Sequence, residues 1–365
     1  MKKAALGNYT GCLIGGAIGD ALGAPVEFLD MGTILKNYGS EGITGYVEHE
    51  DAKGEFTDDT QMNLFTAEAL LRSYQRQVLR GIGGSFPTIA HMSYLRWLYT
   101  QGDYSENHPY NKNLVLSGWL YDQKALHKKR YPGNTCISAL ISGQAGDINH
   151  PINNSKGCGT IMRVAPVGLM LFGENELAFK TACDCSAITH GHPSGWLSAG
   201  CFASVISDLA VGIPLIPAIH NAFGILKRYK DHEETLQAVE NALELFEKTK
   251  HDTSMLRSNY IEALGGAWVA EEALAIALYC SLLFEHDFEK GVLISVNHSG
   301  DSDSTGSITG NILGLINGIN QIPEHLIQNL LYADLVKEVA EDVYIRMKGN
   351  VEHPDDEWFE KYPGY

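Results

Sequence analysis

Four glycines at four-residue intervals, Gly11, Gly15, Gly19 and Gly23 in GCLIGGAIGDALG, constrain the fold of this chain more than any other feature. On an α-helix, residues four apart share a face, so these glycines form a strip without side chains. A second helix can approach such a strip closely. The run is not a phosphate-binding loop: that loop continues Gly-Lys-Ser/Thr, and here Asp20 follows Gly19. The spacing predicts a helix–helix contact in the core.

Helical periodicity continues downstream. In QMNLFTAEALLRSYQRQVLR, the residues Leu64, Ala67, Leu71, Tyr74 and Val78 fall on one stripe. EEALAIALYCSLLFE and IQNLLYADLVKEVAEDVYIRM keep the same rhythm, whereas alternating strand patterns are scarce and short. The expected fold is all-α, a single domain over residues 1–365 without an obvious linker. Its C-terminal stretch VEHPDDEWFEKYPGY is acidic and Pro-bearing, and is expected to be loosely held.

With 44% hydrophobic and 19% charged residues, the chain has the composition of a globular protein with a sizeable core. Twenty-seven Lys and Arg against 44 Asp and Glu give a formal charge of -17, which argues against a broad nucleic-acid or anionic-lipid face. A local phosphate pocket stays compatible with that charge, and a cationic substrate suits it. Seven scattered cysteines, none at zinc-ribbon spacing, read as free thiols in a reducing cytoplasm. The N-terminal MKK followed by an apolar run imitates a signal peptide, but Asp20 and the regular glycines oppose that reading. No apolar run is long enough to cross a bilayer.

Two short stretches share one grammar. In HSGDSDSTG, Asp301 and Asp303 alternate with Ser302, Ser304 and Thr305 at an apparent helix start. In GEFTDDTQ, Thr57, Asp58, Asp59 and Thr60 precede the amphipathic stripe above. Each alone reads as an N-cap, since Ser, Thr and Asp oxygens accept from the free backbone N–H groups there. The second-half stretch also begins like a calcium loop, but the twelfth position, which needs a bidentate Glu, is Ile312. One cap needs one such residue, however, and several acids together repel unless a cation sits among them. If folding brings the two starts together, four carboxylates and nearby hydroxyls suit two Mg²⁺ or Mn²⁺ ions and not zinc.

With these motifs the sequence resembles the ADP-ribosylglycohydrolase family. GCLIGGAIGDALGAPVEF, GEFTDDTQMNLFTAEALL, SKGCGTIMRVAPVGLM, ITHGHPSGW and HSGDSDSTGSITGNILG occur in the family's order and span nearly the whole chain. The resemblance implies a multi-helix orthogonal bundle with a dinuclear magnesium centre in a cleft. Its ligands fall on Thr57, Asp58, Asp59, Asp301, Asp303 and Ser304, the last often Thr in relatives. Glu27 matches an acid on a mobile loop over the site, and Ser155, Gly157 and Gly159 match the loop that wraps the diphosphate and distal ribose. His190 matches a substrate-pocket histidine. Relatives commonly read Tyr-Gly-Asn where this chain has Lys156, Gly157 and Cys158, which removes those two side-chain contacts from the expectation and leaves the backbone ones.

The residues carry their own readings beside the resemblance. The glycines of SKGCG admit close backbone approach and N–H groups for an anion, or form an ordinary turn. His190 and His192, spaced by one, do not face the same way, so they are not expected to act as a metal pair. Arg163 is expected in a structural ion pair. For the reaction, the resemblance implies Mg²⁺-dependent hydrolysis of the bond joining ADP-ribose to a protein side chain. Arginine is favoured over serine or a free ADP-ribose derivative, with Asp59 and Glu27 as the catalytic carboxylates. The expected partner is an ADP-ribosylated protein, and neither nucleic acid nor membrane. The alternative is an immunity protein that plugs an ADP-ribosylating toxin, with or without hydrolysis.

Overall fold

The computed structural model describes residues 4–49, 52–81, 83, 85–103, 108, 110, 116–252, 258–347 and 356–364. Within them the chain is all-helical, with eighteen α-helices and three short 3-10 turns. The only extended pairings among these residues are the isolated bridges His49–Ala52 and Gly157–Val269.

The glycine strip has its partner. The first helix, Leu6–Gly23, packs along Ser302–Asn317 in the most extensive helix–helix contact of the molecule. A methyl group on Gly11, Gly15, Gly19 or Gly23 would sit 1.9 to 2.3 Å from the carbonyl oxygen of Gly314, Gly310, Gly306 or Ser302 respectively. Gly306, Gly310 and Gly314 return the relationship against Gly19, Gly15 and Gly11. The two strips therefore run antiparallel with backbone against backbone, and no side chain fits between them. Hydrogen bonds fix the register: Asn311 Nδ2 donates to the Cys12 carbonyl at 2.8 Å, and Asn8 Nδ2 to the Leu315 carbonyl at 2.8 Å.

This register places the end of the first helix beside the start of Ser302–Asn317. Asp20, fully buried, then pins a third helix, Asp58–Arg80, to the same point. Its carboxylate accepts from the backbone N–H of Thr57 at 2.8 Å and of Thr60 at 3.0 Å, and from the Thr60 hydroxyl at 2.5 Å. These are the orphan donors that any helix start leaves. Here the acceptor comes from another helix, so satisfying them also fixes tertiary position.

The Asp58–Arg80 helix is buried on every face through its first four turns, not on one stripe. Leu64, Ala67 and Leu71 are core residues, whereas Val78 is exposed. Its polar residues are paired inside: Glu68 holds Arg72 and Arg96 at 2.9 Å each and accepts from Ser93 at 2.5 Å. Of the C-terminal stretch, 351–355 and 365 lie outside the described residues. Asp356–Lys361 form a helix, and Tyr362 is buried with its hydroxyl donating to Asp342 at 2.6 Å. That end is anchored where the composition predicts a loose tail, because burying the Tyr362 ring outweighs the stretch's acidity. Among the described residues no helix is long and apolar enough to cross a membrane.

Candidate active site

Three helix termini and two glycine-bearing loops enclose a cleft of about 430 Å³. Glu27, Asp58, Asp59, Asp301 and Asp303 line it together with Ser304, Gly157, Gly159 and His190. The sequence-predicted residues are thus gathered at one place, apart from two that stand just behind the wall. Thr57 donates its hydroxyl to Asp303 Oδ2 at 3.2 Å, and the Ser155 hydroxyl lies 3.1 Å from that of the wall residue Thr135.

Capping and clustering coexist in these residues. Thr57 is the N-cap of Asp58–Arg80, its oxygen accepting from Asp59 N–H at 3.3 Å. Asp301 caps Ser302–Asn317 by accepting from Ser304 N–H at 3.3 Å. Both caps leave their carboxylate neighbours pointing into a shared space at the positive ends of two helix dipoles, where negative charge is stabilised.

Helix ends alone do not balance this charge. Burial, then the nearby Asp20, Asp58 and Asp301 carboxylates, pushes Asp59 well above the usual carboxylate range. Burial, then Glu27, Asp59 and Asp301, does the same to Asp303. Asp58 is raised mainly by burial, against a hydrogen bond from Gly133 N–H. Glu27 is pushed up to about 9 by burial and by Asp301, Asp58 and Asp20. No Lys or Arg is among the described residues lining the cleft. Like charges so placed need protons or a cation between them.

The donors fit a divalent cation. One oxygen each of Glu27, Asp301 and Asp303 lie within 4.8 Å of one another. Glu27 Oε2 and Asp59 Oδ2 are buried and accept no hydrogen bond from the protein. An orphaned buried carboxylate oxygen is costly, and coordination removes that cost. All the donors are hard oxygens, of the kind that suits Mg²⁺ or Mn²⁺.

Departures from the expected loop are visible as geometry. Lys156 turns away from the cleft to an ion pair with Glu234 at 2.6 Å and a second with Glu271. Cys158 stays in the wall, and its thiol donates to Asp301 Oδ2 at 2.6 Å. His190 lines the cleft, whereas His192 caps the next helix by accepting from Ser194 N–H at 3.2 Å, so the two histidines do part ways. Arg163 corrects its expectation. It is fully buried and meets no carboxylate among its hydrogen-bond partners. Its guanidinium instead lies 4.4 Å over the Tyr94 ring and donates to the Thr189 hydroxyl, the Cys185 carbonyl and the Cys136 and Met62 sulfurs. A planar, weakly hydrated cation tolerates such an aromatic and sulfur-lined site.

Sequence reasoning missed two groups. Asp20 is one, and its only signal is an acid standing alone in a Gly-rich apolar helix. The other is an aromatic rim: Phe28 stacks on Trp268 at 5.6 Å and 22°, and lies 6.2 Å from Tyr131. All three rings are exposed at the cleft mouth. They come from three separate loops, so no spacing announces them. A larger cavity elsewhere, about 530 Å³, has Glu174 and Arg346 as its only charged lining among the described residues, which form no carboxylate cluster there.

Comparison with known proteins gives one consistent picture. The ADP-ribosylglycohydrolase family model matches residues 1–352. An ADP-ribosylarginine hydrolase of Serratia proteamaculans is 24% identical over 349 residues, covering 94% of this chain and 80% of that protein. The ADP-ribosyl-[dinitrogen reductase] glycohydrolase of Rhodospirillum rubrum is 25% identical over 328 residues, covering 88% and 89%. Among solved structures, an ADP-ribosylglycohydrolase-related protein complex superposes with a TM-score of 0.61 at 23% identity, covering 94% of this chain and 98% of that one. The last supports the fold alone.

Proposed function

Because the chain belongs to the ADP-ribosylglycohydrolase family, whose members hydrolyse ADP-ribose linkages, we propose that it cleaves the N-glycosidic bond between ADP-ribose and a protein arginine, reversing mono-ADP-ribosylation. The carrying observation is the convergence of five carboxylates from distant segments on one cleft lined by no Lys or Arg among the described residues. Such a cleft does not repel a cationic guanidinium, and the Serratia relative carries the arginine name.

Asp58, Asp59, Asp301 and Asp303, with Thr57 and Ser304, are the residues that would hold Mg²⁺ or Mn²⁺, two ions in number. When bound, the metal supplies neutralisation of the carboxylates and polarisation of ribose hydroxyls. Asp59, whose Oδ2 is free of protein donors, orients the attacking water and takes its proton. Glu27, buried on the turn that ends the first helix and with its pKa raised to about 9, lines the same cleft and in this reading gives its proton to the arginine nitrogen as the C1–N bond breaks. Gly157 and Gly159 leave room for a diphosphate against the backbone, and the Phe28–Trp268 pair walls the mouth against solvent. The free state of all seven cysteines supports a reducing compartment, the cytoplasm. We read the chain as one domain acting as a unit.

The test is release of ADP-ribose from arginine-linked and serine-linked proteins, with Mg²⁺, Mn²⁺ or chelator. Chelator-sensitive release from arginine is expected. Release from serine alone would overturn the linkage, and no release from either would overturn the enzyme. Asp59→Ala, with folding checked by circular dichroism, is expected to lower kcat by roughly 10²–10⁴.

A further inference from the structure

Behind the cleft wall, three buried side chains form a chain of hydrogen bonds that ends on a ring facing the cleft. Arg163 Nη2 donates to Thr189 Oγ1 at 2.8 Å, and Thr189 Oγ1 lies 2.8 Å from His190 Nδ1. Arg163 and Thr189 are fully buried, and His190 is 1% exposed. The direction of each bond follows from chemistry. A guanidinium has donors only, so Thr189 accepts from Arg163. The hydroxyl keeps one proton, and His190 Nδ1 is the acceptor it meets among the described residues. Nδ1 therefore accepts, and the ring's single proton sits on the opposite nitrogen, Nε2. That nitrogen faces the glycine loop: it lies 3.4 Å from where a Cβ on Gly157 would stand and 3.5 Å from one on Gly159.

We propose that Arg163 and Thr189 are positioning residues that lock His190 as its neutral Nε2–H tautomer, so that the ring offers the cleft a hydrogen-bond donor for an oxygen of the ADP-ribosyl group. The identity of that oxygen's owner rests on the reading of the cleft given above; the tautomer does not. Burial and the Arg163 charge both oppose protonation and lower the His190 pKa to about 3, so the ring stays neutral at physiological pH. A neutral donor with one fixed N–H can pair with an oxygen of the diphosphate or distal ribose without adding charge beside the carboxylates. This gives Arg163 a purpose that its lack of a carboxylate partner otherwise leaves open: a salt bridge would neutralise the charge that holds the threonine hydroxyl turned toward His190.

Long-range ¹H–¹⁵N spectroscopy on the full chain tests this, with the His190 signals assigned by their loss in His190→Gln. The neutral Nε2–H pattern is expected from pH 5 to 8 in the unmodified protein, and an Nδ1–H or doubly protonated ring in that range overturns the proposal without any variant. Thr189→Val keeps the shape and removes the hydroxyl; it is expected to admit the Nδ1–H form and weaken ADP-ribose binding about tenfold, whereas Thr189→Ser keeps both properties. A valine variant that retains the Nε2–H form alone would refute the role of Thr189. The expected tautomer in a protein that does not bind ADP-ribose would leave the lock standing and overturn the substrate assignment.

Discussion

Thr57 Oγ1 donates to Asp303 Oδ2 at 3.2 Å, joining residues 246 positions apart. The same oxygen accepts from Asp59 N–H, so one hydroxyl both caps a helix and ties it to the opposing acid cluster. Thr57→Val should therefore cost about 1–3 kcal/mol, leaving a buried donor and a buried carboxylate oxygen without partners. Thr57→Ser should cost little, as read from urea unfolding midpoints of the two variants.

The glycine seam gives a sharper contrast. Gly19→Ala sets a methyl group 1.9 Å from the Gly306 oxygen, where only backbone could yield, and is expected to destabilise by about 3 kcal/mol or to prevent folding. Gly7 belongs to the same helix but has only Ile319 Cγ2 at 3.5 Å, so Gly7→Ala should be neutral or stabilising. Equal thermal stability of the two variants would refute the seam as the fold's main constraint.

Asp20 has no place in the proposed chemistry, yet it should control it. Asp20→Asn sets an amide N–H against one of the two backbone donors at the start of Asp58–Arg80. Loss of about 2 kcal/mol of stability is expected, with weaker divalent-cation binding in calorimetry because Asp58 and Asp59 lose their anchor. Cation affinity equal to that of the unmodified protein would show that Asp20 is merely structural.

Glu68 joins two arginines in the core, and removing it takes one buried carboxylate away from both. Glu68→Ala should cost about 3–5 kcal/mol. Burial opposes its ionisation, but Arg72, Arg96 and Ser93 prevail and hold its pKa below the ordinary value. A depressed carboxylate stabilises the fold above its unfolded pKa, about 4.3, and that contribution is lost as pH falls through the folded pKa. The stability difference between the unmodified protein and Glu68→Ala should thus shrink below about pH 4, measured by chemical unfolding across pH 3–7.

Divalent cations should raise the melting temperature by mass action, since the unfolded chain has no preformed cluster. At a concentration one hundred times Kd the gain is about 2.7 kcal/mol. Calorimetric scans with Mg²⁺, Mn²⁺ and a chelator check this. Asp301→Asn together with Asp303→Asn should abolish the increment; an undiminished one would place the cation elsewhere.

Much of this architecture is legible in the sequence because its rules are local. Helix starts at Thr57 and Asp301 announce themselves through capping chemistry, and Gly11 to Gly23 announce a close partner through spacing alone. The partner's identity is not local, although Gly306, Gly310 and Gly314 repeat the same interval. Asp20 and the rim of Phe28, Tyr131 and Trp268 escape because their roles exist only after distant segments meet. Arg163 misleads for the opposite reason: a buried arginine predicts a carboxylate, and the chain supplies an aromatic ring and sulfurs instead.

The antiparallel seam also sets a timetable. Its two strips are far apart in the sequence, with Cys12 bonded to Asn311 across 299 positions. Loop closure over such a separation is slow, and a nascent chain cannot attempt it before about three hundred residues have been synthesised. Until then, the first helix carries a naked backbone ridge that only Ser302–Asn317 can cover, so the cleft cannot be assembled before that helix has been made.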